Sequence, residues 1–137
     1  MAPVDFSGKW KTIEYEGMEP YLRALGCPDQ VTSKHSTWYP VQDIKQTGDK
    51  FVIDTGILDD RIEVLKFTVG MPFEFVVRGE TLTGYPYWEG KKLVLYTYSK
   101  QHAKVSKITR QRVGGKIIQT YSYTGSPSEG TRIFSKA

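Results

Sequence analysis

The closing segment of the chain, residues 130–136 with the sequence Gly-Thr-Arg-Ile-Phe-Ser-Lys, combines strand-like alternation with a permanent positive charge. Residues two apart in a strand share a face, so Arg132 and Phe134 point the same way. If that face is the interior, the guanidinium of Arg132 requires an anion or a polar network inside the protein, because it cannot lose its charge. The alternative, which alternation by itself favours, is an exposed edge strand with Arg132 in water. The first interpretation predicts an anion-binding ligand site.

Residue types that serve catalysis or metal binding are few and scattered. His35 and His102 are the only histidines and Cys27 is the only cysteine, so no group of side chains has zinc-type spacing. Asp59 and Asp60 are adjacent, and because adjacent strand residues point to opposite faces, a charged turn is favoured over a catalytic or metal-binding pair. The chain has no glycine-rich phosphate loop and no Gly-x-Ser-x-Gly segment. We therefore predict no enzymatic activity, no catalytic residues, no metal site and no cofactor.

Composition and length indicate one domain, which we place at residues 1–137. Nine tyrosines, six phenylalanines and three tryptophans among 137 residues favour β structure. No apolar run reaches membrane-spanning length, and the first residues lack the basic and apolar regions of a secretory signal. A single cysteine cannot form an internal disulfide, and a chain without asparagine has no N-glycosylation acceptor. These features predict a cytoplasmic location.

The net charge of +4 and a pI near 9.1 raise the question of a nucleic-acid or membrane partner. Basic and acidic residues are mixed throughout, and the densest basic stretch, residues 104–116, alternates so that its charges reach both faces of a strand. No nucleic-acid-binding motif accompanies it. We predict no nucleic-acid partner, and a transient contact with anionic membranes is a hypothesis that rests on net charge alone.

Alternation with a period of two residues dominates the chain. The first run spans residues 6–13, and from residue 41 onward short alternating runs recur between turn signals. Residues 47–49, Thr-Gly-Asp, separate one pair of runs, and residues 114–115 separate another with two glycines that can take positive φ. Many short antiparallel strands joined by regular turns predict a mainly β fold, either a barrel or a sandwich.

An early segment interrupts this alternation. Met18, Tyr21, Leu22 and Leu25 fall at helical spacing, which predicts a short amphipathic helix. A second short helical piece is predicted over residues 28–35.

The two ends of the chain carry its most distinctive segments. These are residues 6–11 and 17–26 near the N-terminus, and Arg110, the turn 114–116, residues 119–121 and residues 131–134 near the C-terminus. In sequence and order they resemble the intracellular lipid-binding proteins, the family of fatty-acid-binding proteins and their cytosolic retinoid-binding relatives. The resemblance covers essentially the whole chain. It implies a ten-stranded antiparallel up-and-down barrel of the calycin type, with a two-helix lid between the first and second strands.

The resemblance also implies how a ligand is held. Arg110 and Arg132 are expected to face the cavity and bind a carboxylate, and the planar guanidinium fork suits both carboxylate oxygens. Gln119 and Tyr121 share a strand face and are expected beside the head group, although aromatic packing is an alternative role for Tyr121. Phe134 stands where many members of the family have a tyrosine, so Tyr121 or water is expected to replace that hydroxyl.

The apolar tail of a ligand requires only apolar walls. The alternative role for each candidate residue is packing in a core that contains no ligand. The candidates are Met18 and Leu22 on the lid, and Leu65, Phe67, Phe73, Phe75, Leu93 and Leu95 on the strands.

We therefore predict intracellular binding and transport of a long-chain fatty acid, or a similar hydrophobic carboxylate, by a monomer. A retinoid, a bile-acid-like molecule or a pigment is the alternative ligand, because an aromatic-rich interior accommodates such molecules. A protective or structural protein that reuses the barrel without carrying a ligand is an alternative function. A lipocalin also opens on Gly-x-Trp, but the two early helices and the missing disulfides and signal weigh against it.

Overall fold

Strands account for most of the chain in the computed structural model, which describes residues 2–24, 40–56, 62–77, 80–99, 104–123 and 128–137. The predicted first helix is confirmed as α1, and the second predicted helix, at residues 28–35, lies outside the described residues. The elements are β1 Gly8–Glu16, α1 Met18–Ala24, β2 Val41–Thr47, β3 Lys50–Gly56, β4 Ile62–Thr68, β5 Phe73–Val77, β6 Glu80–Glu89, β7 Lys92–Ser99, β8 Lys104–Val113, β9 Lys116–Tyr123 and β10 Gly130–Lys136.

The ten strands form one antiparallel sheet in the order β4-β3-β2-β1-β10-β9-β8-β7-β6-β5. Strand β1 pairs with both β2 and β10, so the first and last strands are neighbours and the sheet curls into a nearly closed barrel. The predicted ten-stranded antiparallel up-and-down barrel is therefore confirmed. Within the described residues no ladder joins β4 to β5, and no helix is long and apolar enough to cross a membrane.

Two hairpin turns form where glycine signals predicted them. Gly48 joins β2 to β3 with φ 61°, and Gly114 joins β8 to β9 with φ 60°. Residues with a Cβ adopt this left-handed conformation at a cost that glycine avoids. The two turns set the registers in which Thr47 pairs with Lys50 and Val113 with Lys116.

An apolar core fills one end of the barrel. Rings of Phe6 and Trp88 stack there with centroids 6.2 Å apart. Phe67 and Phe134, both predicted to contact ligand, belong to this core, and their role as ligand contacts stays a prediction. The buried members of the core are Phe6, Trp10, Ile44, Phe51, Ile53, Phe67, Leu93, Ile117 and Phe134.

Cations cover the core at the barrel end. The Nζ of Lys136 lies 4.6 Å from the centroid of the Trp10 ring, and the Cζ of Arg112 lies 5.5 Å from it. Lys136 also donates a hydrogen bond to the carbonyl of Ser7, and Arg112 donates one to the carbonyl of Asp5. Hydrogen bonds from Ser7, with Arg112 and Lys136 nearby, lower the pKa of the Asp5 carboxyl. The two basic side chains thus tie the N-terminal segment across the end of the barrel.

Aromatic rings span the opening between β4 and β5. Phe67 of β4 and Phe73 of β5 stack with centroids 5.2 Å apart, so ring contact joins two strands that no ladder joins. Gly84 makes room for this arrangement, because a Cβ at that position would lie 2.5 Å from an atom of the Phe73 ring. A pocket of about 400 Å³ opens at the same place. Its lining residues are Val64, Leu65, Lys66, Phe73, Glu74, Phe75 and Val76.

Candidate functional site

Three long polar side chains lie side by side on neighbouring strands. Arg110 of β8 pairs with Gln119 of β9, and Gln119 pairs with Arg132 of β10. Residues directly opposite one another in antiparallel strands share a face, so all three project to the same side of the sheet. Their exposed fractions are 3% for Arg110, 2% for Gln119 and 5% for Arg132. We call these residues the arginine row.

The arginine row faces the barrel interior. Strand β10 lies between β1 and β9, so it is not an edge strand, and the interpretation that left Arg132 in water does not hold. Leu93, opposite Arg110, and Phe134, two residues from Arg132, are buried at or below 1% exposure on the same side. Two permanent charges are thus held inside the barrel beside apolar side chains, where charged groups are costly unless an anion or polar partners compensate them.

Gln119 lies between the two arginines, and one polar atom of its side chain lacks a hydrogen-bond partner. Its Oε1 is buried and accepts no hydrogen bond from the residues that the structure describes. A buried carbonyl oxygen left in this state costs about 1–3 kcal/mol unless water or a ligand supplies a donor. Its amide also offers two N–H donors, which suit an anion. The centre of the arginine row therefore has capacity for a polar ligand group.

Tyr121 links the arginine row to the helix. The Cζ of Arg132 lies 5.4 Å from the centroid of the Tyr121 ring, a cation–π distance. On its other side the Tyr121 ring contacts Tyr21 of α1, with centroids 5.8 Å apart and planes tilted by 44°. Tyr21 is buried, so helix α1 covers this part of the barrel. The helix thereby contacts the Tyr121 ring, which in turn contacts Arg132.

Helix α1 packs closely because Gly130 has no side chain. Gly130 pairs with Tyr121 across β9 and β10, and a Cβ there would lie 2.6 Å from the Sδ of Met18 and 3.4 Å from its Cα. Met18 is buried, and its predicted role as a ligand contact stays a prediction. The side chain of Leu22, also predicted to contact ligand, is not among those described.

Replacing Gly130 by alanine is expected to displace the Met18 side chain, which packs α1 on β10. The added methyl overlaps the Sδ of buried Met18 and makes only ordinary contact with its Cα, so we expect a loss of about 1 kcal/mol in the free energy of unfolding, measured in urea. Gly115→Ala is the matched control, because a Cβ at Gly115 meets nothing within 4 Å. An unfolding free energy for Gly130→Ala equal to that of the control would contradict the close packing of α1 on β10.

The remaining sequence-predicted residue, Leu95, lies beside the arginine row. It is buried, and it follows Leu93 on the interior face of β7, opposite Ile108, which in turn pairs with Tyr121. Leu95 therefore lies one interior position away from the row, and its contact with the ligand tail stays a prediction.

Sequence reasoning overlooked polar residues farther along the same face. Thr97 and Ser99 continue the interior alternation of β7 and are both buried. Continuing the period of two from Leu93 would have located them. Tyr15 was also missed, for a reason that no periodicity reveals: a β-bulge in β1 places it opposite Arg132.

Among the residues that the structure describes, no cluster of three or more histidine, cysteine, aspartate or glutamate side chains could hold a metal ion. The chemistry available in the arginine row is recognition of an anion by hydrogen-bond donors and positive charge.

Comparison with known proteins finds relatives along most of the chain. Residues 7–126 match the model of the lipocalin / cytosolic fatty-acid binding protein family. The intestinal fatty acid-binding protein of Xenopus laevis is 30% identical over 134 residues, which cover 96% of this chain and 98% of that protein. Retinol-binding protein 1 of Rattus norvegicus is 35% identical over 99 residues, which cover 66% of this chain and 69% of that protein.

Solved structures agree on the fold. Lipid binding protein 8 of Caenorhabditis elegans superposes with a TM-score of 0.85 at 23% identity, over 96% of this chain and 95% of that one. A secretary abundant heat soluble protein from Ramazzottius varieornatus superposes with a TM-score of 0.86 at 16% identity, over 100% and 97% of the two chains. At these identities the similarity establishes a shared barrel.

Proposed function

Because the chain belongs to the lipocalin / cytosolic fatty-acid binding protein family, we propose that it binds and transports a long-chain fatty acid or a similar hydrophobic carboxylate inside its barrel. The arginine row binds the carboxylate, and the apolar wall beside it receives the tail. Tyr121 and Met18 flank the site, and Phe67 and Phe134 contribute apolar surface at the edge of the core.

The observation that carries this proposal is the burial of two guanidinium groups on one interior face. Arg110 and Arg132 lie two strands apart, which places their backbones about 10 Å from each other. Like charges at such a separation repel by about 1–2 kcal/mol at an effective dielectric of 20. A carboxylate bound at the row relieves this repulsion and adds charge-assisted hydrogen bonds. A neutral alcohol accepts hydrogen bonds from the guanidinium groups but does not relieve their repulsion.

The tail supplies most of the gross affinity and little of the selectivity. Each methylene removed from water contributes about 0.8 kcal/mol, so a chain of sixteen carbons gains from any sufficiently long apolar wall. Immobilising that flexible chain offsets much of the gain. The arginine row therefore determines which amphipathic molecules are accepted and how they are oriented.

The proposal is tested by comparing ligands that differ only in the head group. Native mass spectrometry of the purified protein first identifies what it carries. After removal of that lipid, calorimetric titration with hexadecanoate and with hexadecanol compares the carboxylate with its alcohol. We expect hexadecanoate to bind at least tenfold more tightly. Equal affinities, or no binding of either ligand, would contradict the proposal.

A retinoid is the second candidate, favoured by the aromatic wall. Phe51 stacks on Phe67 at 5.2 Å, Phe67 on Phe73 at 5.2 Å, and Phe73 on Phe75 at 5.3 Å. Such a series of rings suits a flat conjugated ligand, and one relative is named for retinol binding. Titration with retinoate and retinol distinguishes the candidates: retinoid binding at least tenfold tighter than that of hexadecanoate would favour the second.

Three further properties belong to this proposal. We propose that the protein acts in the cytoplasm, that it is a monomer, and that it has a binding rather than a catalytic role, as its family does. Transient contact with anionic membranes during ligand transfer is consistent with a net charge of +4. A protective role in which the barrel carries no ligand would be indicated by purified protein that contains no lipid and by inertness toward all four ligands.

A further inference from the structure

A β-bulge gives the arginine row a fourth member. In β1, Thr12 pairs with Phe134 but Glu14 pairs with Ile133, so Ile13 is an extra residue without a counterpart on β10. A one-residue shift in a strand exchanges the two faces for everything that follows. Tyr15, which would otherwise lie on the outer face, is therefore directly opposite Arg132.

The exposure of the residues next to Tyr15 agrees with this exchange of strand faces. Glu14 and Glu16 are exposed and so occupy the outer face, whereas Tyr15 between them is partly buried. Residues directly opposite in antiparallel strands have Cβ atoms about 4.5–5.5 Å apart on a common face. Since Arg132 is buried in the interior, the Cβ of Tyr15 lies on the interior side as well.

The arginine row then continues across four strands, from Arg110 through Gln119 and Arg132 to Tyr15. A tyrosine and an arginine have similar reach from the backbone, so the phenolic oxygen and the guanidinium of Arg132 extend to a similar depth. Phe134 has no polar atom in its side chain and pairs with Thr12, one position closer to the core. Tyr15 is thus the member of the row that contributes a hydroxyl group.

We propose that Tyr15 is a specificity-determining residue of the head-group site, whose hydroxyl donates a hydrogen bond to the carboxylate that Arg132 binds. This inference rests on the proposed function. A carboxylate has about four lone-pair positions, which two guanidinium groups do not exhaust. An O–H donor beside an anion forms a short, charge-assisted bond, and it adds no further positive charge to a site that already contains two.

The Tyr15 hydroxyl also explains how the site selects an anion although the side chain of Phe134 has no polar atom. Hydrogen bonds to a charged group are worth more than bonds between neutral groups, so the benefit from Tyr15 is larger for a carboxylate than for an alcohol. Its removal is therefore expected to reduce discrimination between the two, whereas removal of a purely structural tyrosine would weaken both ligands equally.

The test uses Tyr15→Phe in the full chain, with hexadecanoate and hexadecanol as probes. We expect hexadecanoate to bind about tenfold more weakly to this variant, equivalent to about 1.4 kcal/mol, and hexadecanol to change by no more than about threefold. Tyr123→Phe is the matched control, because Tyr123 lies on the same interior face of β9 as Gln119 but pairs with Ser106, two interior positions from the arginine row. The control is expected to leave both affinities unchanged.

Spectroscopy separates a head-group contact from a change in packing. With hexadecanoate labelled with ¹³C at the carboxyl carbon, the bound resonance is expected to shift in Tyr15→Phe and to stay in place in Tyr123→Phe. Equal loss for the two probes, or an unchanged affinity together with an unchanged resonance, would overturn the role of Tyr15. If the wild-type protein itself does not prefer hexadecanoate, the proposed function fails, and the role of Tyr15 fails with it.

Discussion

Replacing either buried arginine by alanine is expected to weaken binding of hexadecanoate about 10- to 100-fold and to change binding of hexadecanol by no more than about threefold. A hydrogen bond to a charged group contributes about 1.5–3 kcal/mol, which corresponds to that range. Arg110 and Arg132 are both buried, so little water is available to replace the lost donors. Calorimetric titration of Arg110→Ala and Arg132→Ala with both ligands provides the measurement.

A control on the same strand tests whether the effect depends on the position of the charge. Lys107 lies on β8, as Arg110 does, but on the outer face, where its Nζ is 5.8 Å from the centroid of the Tyr96 ring. Lys107→Ala removes one positive charge without altering the arginine row, so we expect both affinities to remain within twofold of the wild type. If all three variants lose hexadecanoate to the same extent, overall charge is responsible, and the head-group role of the arginines is wrong.

Replacing both arginines by leucine is expected to stabilise the protein without ligand while greatly reducing its response to a fatty acid. Burying a charge costs several kcal/mol even after relaxation, and substituting buried charged residues with apolar residues of similar volume often gains about 1–4 kcal/mol. Arg110 and Arg132 additionally repel one another across Gln119. We therefore expect Arg110→Leu/Arg132→Leu to unfold at a higher urea concentration than the wild type.

Bound ligand is expected to stabilise the wild type more than the leucine pair. A ligand that binds only the folded state raises its stability according to ligand concentration and affinity. Hexadecanoate is expected to raise the Tm of the wild type by several degrees and that of the leucine pair by less than one degree. A leucine pair that is less stable than the wild type without ligand would show that the arginines contribute to the structure of the empty barrel, and would contradict this account.

Much of the fold could be predicted because barrel strands follow a simple period. The hairpin signals at Gly48 and Gly114 set registers that the structure confirms, and the helical spacing around Met18 and Tyr21 marks α1. The inward direction of Arg132 could not be derived from alternation alone, which favoured an exposed edge. The resemblance to the lipid-binding family predicted the inward direction correctly, because in that barrel the last strand has a neighbour on each side, here β1 and β9.

The remaining features depend on contacts that a single strand does not encode. The bulge at Ile13 reverses the faces of β1, so the period of two assigns Tyr15 to the wrong side. Phe67 and Phe134 pack with Phe51 and Ile117 from neighbouring strands in the apolar core, and their role as ligand contacts stays a prediction. The stacking of Phe67 on Phe73, which spans the opening between β4 and β5, depends on the absence of a side chain at Gly84.

The ionisation state of a bound fatty acid tests the central claim most directly. Hexadecanoate labelled with ¹³C at its carboxyl carbon can be followed by NMR as the pH of the complex is lowered. If Arg110, Gln119 and Arg132 bind the head group, positive charge and hydrogen bonds favour the carboxylate, and its pKa lies below the ordinary value for a carboxylic acid in water. A bound carboxyl group that titrates at or above its ordinary value would place the head group away from the arginine row and contradict the account.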